Sequence, residues 1–188
     1  MQAARVACGE KDPFVLDDST GYTGNVYNVV GYTGAGSTEE LPEGTYVTAH
    51  DMANGITILL VINRALGRPS QNPSLIPPFM MRHAGIEVND VAVQHTAEND
   101  MYSHTIVIPE RGYILSLALV NAKSSLLIRR PTKEELDTCE RVEVTARNEW
   151  DPQSPTLVEM ENIAIARRKY GASDYGDQRM EIFSVIPT

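Results

Sequence analysis

The chain has 188 residues, 42% hydrophobic and 22% charged, with 25 acidic against 16 basic residues and a formal net charge of −9. That length buries one real core and argues against two large domains. The negative balance repels phosphate backbones and anionic bilayers, which disfavours direct binding of nucleic acid by the surface as a whole.

Cys8 and Cys139 are the only cysteines, and Asn72-Pro73-Ser74 carries the proline that forbids glycosylation. The N-terminus has no apolar run of leader length, and the longest such run, residues 56–62, is a strand's length rather than a span. A reduced, cytoplasmic protein without a bilayer anchor is expected. His50, His83, His95 and His104 have neither i, i+4 pairing nor Cys-x-x-Cys companions, so no metal and no cofactor is assigned.

In chain order, Val15-Leu16-Asp17-Asp18-Ser19-Thr20-Gly21 is an apolar strand leading into an acidic, hydroxyl-rich turn, where Asp17 and Asp18 are expected to meet water. The glycine-rich stretch Val29-Val30-Gly31-Tyr32-Thr33-Gly34-Ala35-Gly36 ends in no Gly-Lys-Ser/Thr, which disfavours a phosphate loop. Residues 45–50 and 56–63 are the clearest strand pair, joined through Asp51-Met52-Ala53-Asn54-Gly55, where Asn and Gly accept a tight hairpin turn. The second of them is apolar on both faces and belongs in the middle of a sheet.

Residues 74–85 hold one or two helical turns, started by Pro77-Pro78 and ended by Gly85, with Met80-Met81 as core filling. Strands over 103–108, 113–120 and 124–129 read as an antiparallel meander. Thr132 and Glu135 form a capping box for a helix to about Cys139, and residues 142–145 return as a strand. A second capping box, Thr156 with Glu159, starts a helix to about Arg168 with Leu157, Met160, Ile163 and Ala164 on one face. Arg167-Arg168-Lys169 complement the end of that helix rather than forming a nucleic-acid patch. The division expected is a β domain over 1–150 and an extension over 151–188 with one helix and a loose tail.

Three segments carry a resemblance: Arg82-His83-Ala84-Gly85-Ile86-Glu87-Val88-Asn89-Asp90-Val91, Arg129-Arg130-Pro131-Thr132-Lys133-Glu134-Glu135-Leu136, and Glu149-Trp150-Asp151-Pro152. Their order and spacing resemble the aspartic-protease region upstream of integrase in Copia-type retrotransposon polyproteins, especially those of diatoms and related algae. Phe14-Val15-Leu16 and Asn28-Val29-Val30-Gly31-Tyr32 extend it, so it covers about residues 3–155. The resemblance implies a mainly β, retropepsin-like closed barrel with a short helix and a C-terminal helical extension. It also implies an active form that is a homodimer, because two aspartates, one from each chain, share one proton as acid and base.

In that family Asp-Ser/Thr-Gly-Ala follows the first strand, and alignment on Phe14-Val15-Leu16 puts Met1-Gln2-Ala3-Ala4 there instead. Asp18 is the one rescue candidate, with a residue too many before Gly21. Gly31, Tyr32, Gly34 and Gly36 fall where retropepsins carry the substrate flap, against the alternative of an ordinary flexible loop. Leu75-Ile76-Pro77-Pro78 also departs from the two apolar residues and glycine usual there. The expectation is therefore a protease-like domain without hydrolytic activity, at most a weak homodimer. Two alternatives stay open: an active homodimeric endopeptidase processing a polyprotein, using Asp18 or an aspartate preceding Met1, and a module holding a peptide or polyprotein segment in the old cleft.

Overall fold

A computed structural model describes residues 7–8, 14–17, 26–30, 38–67, 74–96, 102–147 and 155–170. The chain divides into two compact units, Met1–Glu149 and Trp150–Thr188. It is mainly β, with a few helices.

The first unit is organised by a long hairpin, β4 (Thr38–Asp51) and β5 (Thr57–Gly67), paired antiparallel from Asp51 opposite Thr57 to Glu43 opposite Leu66. Gly55 turns between them at φ +82°, a left-handed conformation that costs glycine nothing. The Asn54 side-chain oxygen accepts the Ile56 N–H at 3.1 Å, as an asparagine in a turn does. Ile58 to Asn63 are all buried, as a strand apolar on both faces requires.

The strands that complete β5's neighbourhood come from far away in sequence. β1 (Ala7–Cys8) and β11 (Arg141–Glu143) both run parallel to β5, at Leu66–Gly67 and at Leu59 to Val61 respectively, while β4 takes its other edge. β2 (Val15–Leu16) and β3 (Val26–Val30) are antiparallel to β4. Between Gly44 and Tyr46 the register slips, so that Asn63 and Arg64 together oppose Thr45 in a bulge, with Arg64 at φ +57°.

Alternation along β5 sets the layers. One face, with Leu59 and Val61, joins Val47 and Ala49 in a cluster covered by Leu136 and Cys139 of the segment containing α2 (Lys133–Thr138). The opposite face, with Leu60 and Ile62, looks into a cavity shared with Met81, Ile106, Leu115 and Val144. Burying each such aliphatic side chain contributes ~1.5–3 kcal/mol, so β5 alone supplies a large part of the hydrophobic stabilisation.

The short helices follow their local signals. α1 (Pro78–His83) starts with proline at its first position, where the missing N–H costs nothing. It ends with Gly85 at φ +82°, the Gly85 N–H donating to Arg82 O at 3.1 Å and the Ile86 N–H to Met81 O at 3.0 Å, the paired bonds of a Schellman end. In α2 the capping box is complete: Thr132 Oγ1 accepts the Glu135 N–H at 3.2 Å, and Glu135 Oε2 accepts the Thr132 N–H at 2.8 Å.

The closed barrel is not what the described residues form. Their strand pairings fall into three separate sheets: the six strands around β4 and β5, the three-stranded β6 (Glu87–Asn89), β7 (Thr105–Ile108) and β8 (Tyr113–Ser116), and the two-stranded β9 (Ala118–Val120) and β10 (Lys123–Ser125). The strand expected over 113–120 breaks at Leu117. Its N–H still reaches His104 O at 2.9 Å, but His104 stands at φ +53° and ends the ladder of β7 there. The next strand then begins as β9 and pairs only with β10 among the described residues.

In the second unit, α3 (Pro155–Tyr170) begins one residue before the expected position, so Thr156 lies inside the first turn rather than capping it. The expected apolar face is corrected too. Met160 is 54% exposed and Ala164 is exposed, with Leu157 and Ile163 half-buried. Val158 and Ile165 point elsewhere on the helix, so its apolar residues do not gather into one stripe. Among the described residues no helix is long and apolar enough to cross a membrane.

Candidate functional site

Asp17, directly after β2, is the one carboxylate of the acidic stretch that is described. Asp17 is not in water, as its sequence context led one to expect, because its side chain is only 5% exposed. Arg141 Nη1, at the start of β11, donates to Asp17 Oδ2 at 2.7 Å, and the Asp17 N–H donates to Thr45 O at 2.8 Å. The pairing of β2 with β4 and of β11 with β5 brings these groups together across most of the chain. A carboxylate anchored this way by a guanidinium ties β2 to the start of β11.

Asp18 lies outside the described residues. So do the flap candidates Gly31, Tyr32, Gly34 and Gly36, the segment Met1-Gln2-Ala3-Ala4 and the segment Glu149-Trp150-Asp151-Pro152. The strands flanking the flap candidates are described: β3 and β4 pair antiparallel, Val30 opposite Thr38.

Two of the three segments singled out in the sequence, residues 82–91 and 129–136, prove to be clamps. Arg82 Nη2 donates to Val88 O at 2.7 Å and to Asp90 Oδ1 at 3.2 Å, tying the end of α1 to β6. Arg129 does more. It forks onto Asp51 through Nε and Nη2, at 2.7 and 2.8 Å, and onto Glu135 through Nη1 and Nη2, at 2.8 and 2.6 Å. Its backbone exchanges two 2.9 Å hydrogen bonds with Ala49.

The electrostatics follow from those contacts. Asp51 is held down to about 2, chiefly by the Arg129 hydrogen bond and then by the Thr57 hydroxyl. Glu135 is held down to about 2 by Arg129 and then by the Thr132 backbone. The two carboxylates in turn raise Arg129 above its ordinary value. None of these groups is poised to exchange a proton near neutrality, so the cluster is a staple of the hairpin to α2 rather than a catalytic centre. Tyr113 is pushed up by its 2.6 Å hydrogen bond to Glu140.

A second polar group lies at the bulge. Arg64 Nε stands 3.0 Å from Oε1 of the wholly buried Glu43, within ion-pair distance but off the line of a hydrogen bond. Beside it the Asn63 amide nitrogen donates to Thr145 O at 3.0 Å and to Glu143 Oε2 at 3.3 Å, and Thr45 Oγ1 donates to Asn63 Oδ1 at 3.2 Å. Asn63 and Thr145 also bond through the Thr145 hydroxyl, fixing the chain after β11 to β5. Most of these partners are interior, with Glu143 the exposed one, and together they satisfy the polar groups of the bulge.

Among the described residues, one hollow of about 540 Å³, open at one end, is lined largely by apolar side chains. Its deep walls are the aliphatic side chains of β5, β7 and β8 described above. Polar groups gather where β10 meets the end of β6: Lys123, Ser124 and Ser125 from the one, Asp90 from the other. Ser124 Oγ donates to Asp90 O at 3.1 Å and lies 3.1 Å from His104 Nε2. Sequence reasoning missed this mouth, because residues 34 positions apart make it and neither carries a motif. The remaining histidines are dispersed: His50 Nδ1 contacts Leu127 O at 2.8 Å and His95 contacts Gln94. Among the described residues no cluster of His, Cys, Asp or Glu is placed to hold a metal ion.

No protein-family model matches the chain, and neither a search of curated proteins nor one of solved structures finds a match.

Proposed function

We propose that the chain is a retrotransposon-derived, aspartic-protease-like domain without hydrolytic activity, related to the retropepsins of Copia-type polyproteins. The observation that carries this reading is the use made of the shared segments. Arg82 with Gly85, and Arg129 with Thr132 and Glu135, hold turns and helix ends. A domain that has lost its chemistry still needs these to fold, whereas Met1-Gln2-Ala3-Ala4, aligned with the family's catalytic loop, holds no group able to move a proton.

The state of Asp17 supports the same conclusion. An aspartic dyad needs two carboxylates close enough to share one proton. The Arg141 guanidinium bonds Asp17 at 2.7 Å and anchors β2 to the start of β11, which is a structural use of this carboxylate. The pairing of β3 with β4 on either side of residues 31–37 is compatible with a flap ancestry for Gly31, Tyr32, Gly34 and Gly36.

The test is to incubate the purified chain with a mixed peptide library from pH 3 to 7 and to read new termini by mass spectrometry, with Asp18→Asn in parallel. The expected result is no cleavage by either protein. Cleavage abolished by Asp18→Asn would establish an active peptidase and overturn the proposal. Sedimentation at micromolar concentration is expected to show substantial monomer.

A further inference from the structure

The cavity between the β5 face and the β7–β8 sheet is unrelated to the catalytic chemistry considered above, and its walls specify an occupant. Leu60, Ile62, Ile106, Leu115 and Val144 line it from three sheet strands and the chain after β11, and all are buried. About 540 Å³ is within the range of ~300–1,000 Å³ typical of small-molecule sites. An apolar space of that size holds water poorly and deprives its lining of dispersion contacts. An alkyl chain restores them.

The mouth sets the polarity of the other end. Asp90 is already neutralised by Arg82 at 3.2 Å. Lys123, exposed at the rim, forms no ion pair or hydrogen bond through its side chain among the described residues. In a chain of net charge −9 this is a locally uncompensated cation beside an apolar hollow, with the Ser124 hydroxyl next to it. We propose that the cavity binds an aliphatic carboxylate of medium chain length, the alkyl chain along the β5 face and the carboxylate at Lys123. Charge complementarity selects the head group and the apolar walls select the tail.

Isothermal titration calorimetry of the full chain with sodium decanoate, kept below its micelle concentration, tests this. Decanol and decyltrimethylammonium serve as head-group controls. The expected result is saturable one-to-one binding of decanoate, with both controls at least about fivefold weaker. Lys123→Met, at an exposed position, should weaken decanoate about tenfold and leave decanol unchanged, because only the carboxylate loses a charged partner. Leu126→Trp, at the half-buried rim of the cavity, should block all three ligands while circular dichroism stays unchanged. Absence of decanoate binding, equal binding of the three amphiphiles, or decanoate affinity unaltered in Lys123→Met would each overturn the proposal. Preferential binding of an extended apolar peptide over decanoate would overturn it as well.

Discussion

β5 and the β9–β10 hairpin start from similar material, Leu59-Leu60-Val61-Ile62 in one and Ala118-Leu119-Val120 in the other, and end in opposite states. β5 is paired on both edges and buried on both faces. The hairpin pairs only within itself among the described residues, with Leu119 51% and Val120 48% exposed. Apolarity alone therefore does not decide burial here. What decides it is whether distant chain arrives to cover the strand: β11 and α2 arrive for β5, and no described strand pairs with the outer edges of β9 and β10.

The largest expected effect contrasts the two regions directly. Leu59→Ala should cost about 2–5 kcal/mol in urea unfolding, since it opens a cavity in a site packed from both sides. Leu119→Ala should stay within about 0.5 kcal/mol. Equal losses would erase the distinction. At the far end of β5, a methyl group built on Gly67 would stand 2.0 Å from the Tyr46 hydroxyl. Gly67→Ala is therefore expected to lose about 1–3 kcal/mol from overpacking, with a smaller loss in a Tyr46→Phe background.

The staple between hairpin and α2 should respond to acid. Asp51 and Glu135 fall from their ordinary values of 3.8 and 4.5 to about 2 in the folded chain. Their contribution is thus complete above the unfolded values and is lost as pH falls from about 4.5 through about 2. Melting temperature followed over that window should drop less steeply in Arg129→Met than in the parent. The effect is modest because the network lies at the surface, where solvent screens it. An identical acid limb in both proteins would remove Arg129 from the account.

The smallest effect belongs to the weak region. Asn121 and Ala122 both have positive φ, +50° and +59°, in the two-residue turn that joins Val120 to Lys123. Asparagine tolerates this and alanine does not, so Ala122→Gly should gain about 0.5–1 kcal/mol despite glycine's greater freedom in the unfolded chain. A loss of stability would mean that the turn is not left-handed at Ala122.

What was legible in the sequence was local. Asn54-Gly55 marks the hairpin turn, Pro78 and Gly85 bracket α1, and Thr132 with Glu135 starts α2, because each signal and its consequence lie within a few residues. The parallel pairing of β11, the partnership of Asp17 with Arg141 and the break at Leu117 were not legible. Each depends on a group brought from elsewhere, or, at His104, on a backbone angle that no residue pattern announces. For α3 the error was one of choice: picking four apolar residues on one side passed over Val158 and Ile165 on others. Of the candidate site, Asp18 and the flap glycines lie outside the described residues, and the cavity mouth joins two segments without a motif.

Stability should be concentrated in the β4–β5 hairpin rather than in the β9–β10 ribbon, which pairs only within itself among the described residues. Native-state hydrogen exchange measures this most directly. The amides of Leu59 to Ile62 should exchange only through global unfolding, and those pairing β9 with β10 through local opening at far lower free energy. Comparable protection in the two regions would contradict the account.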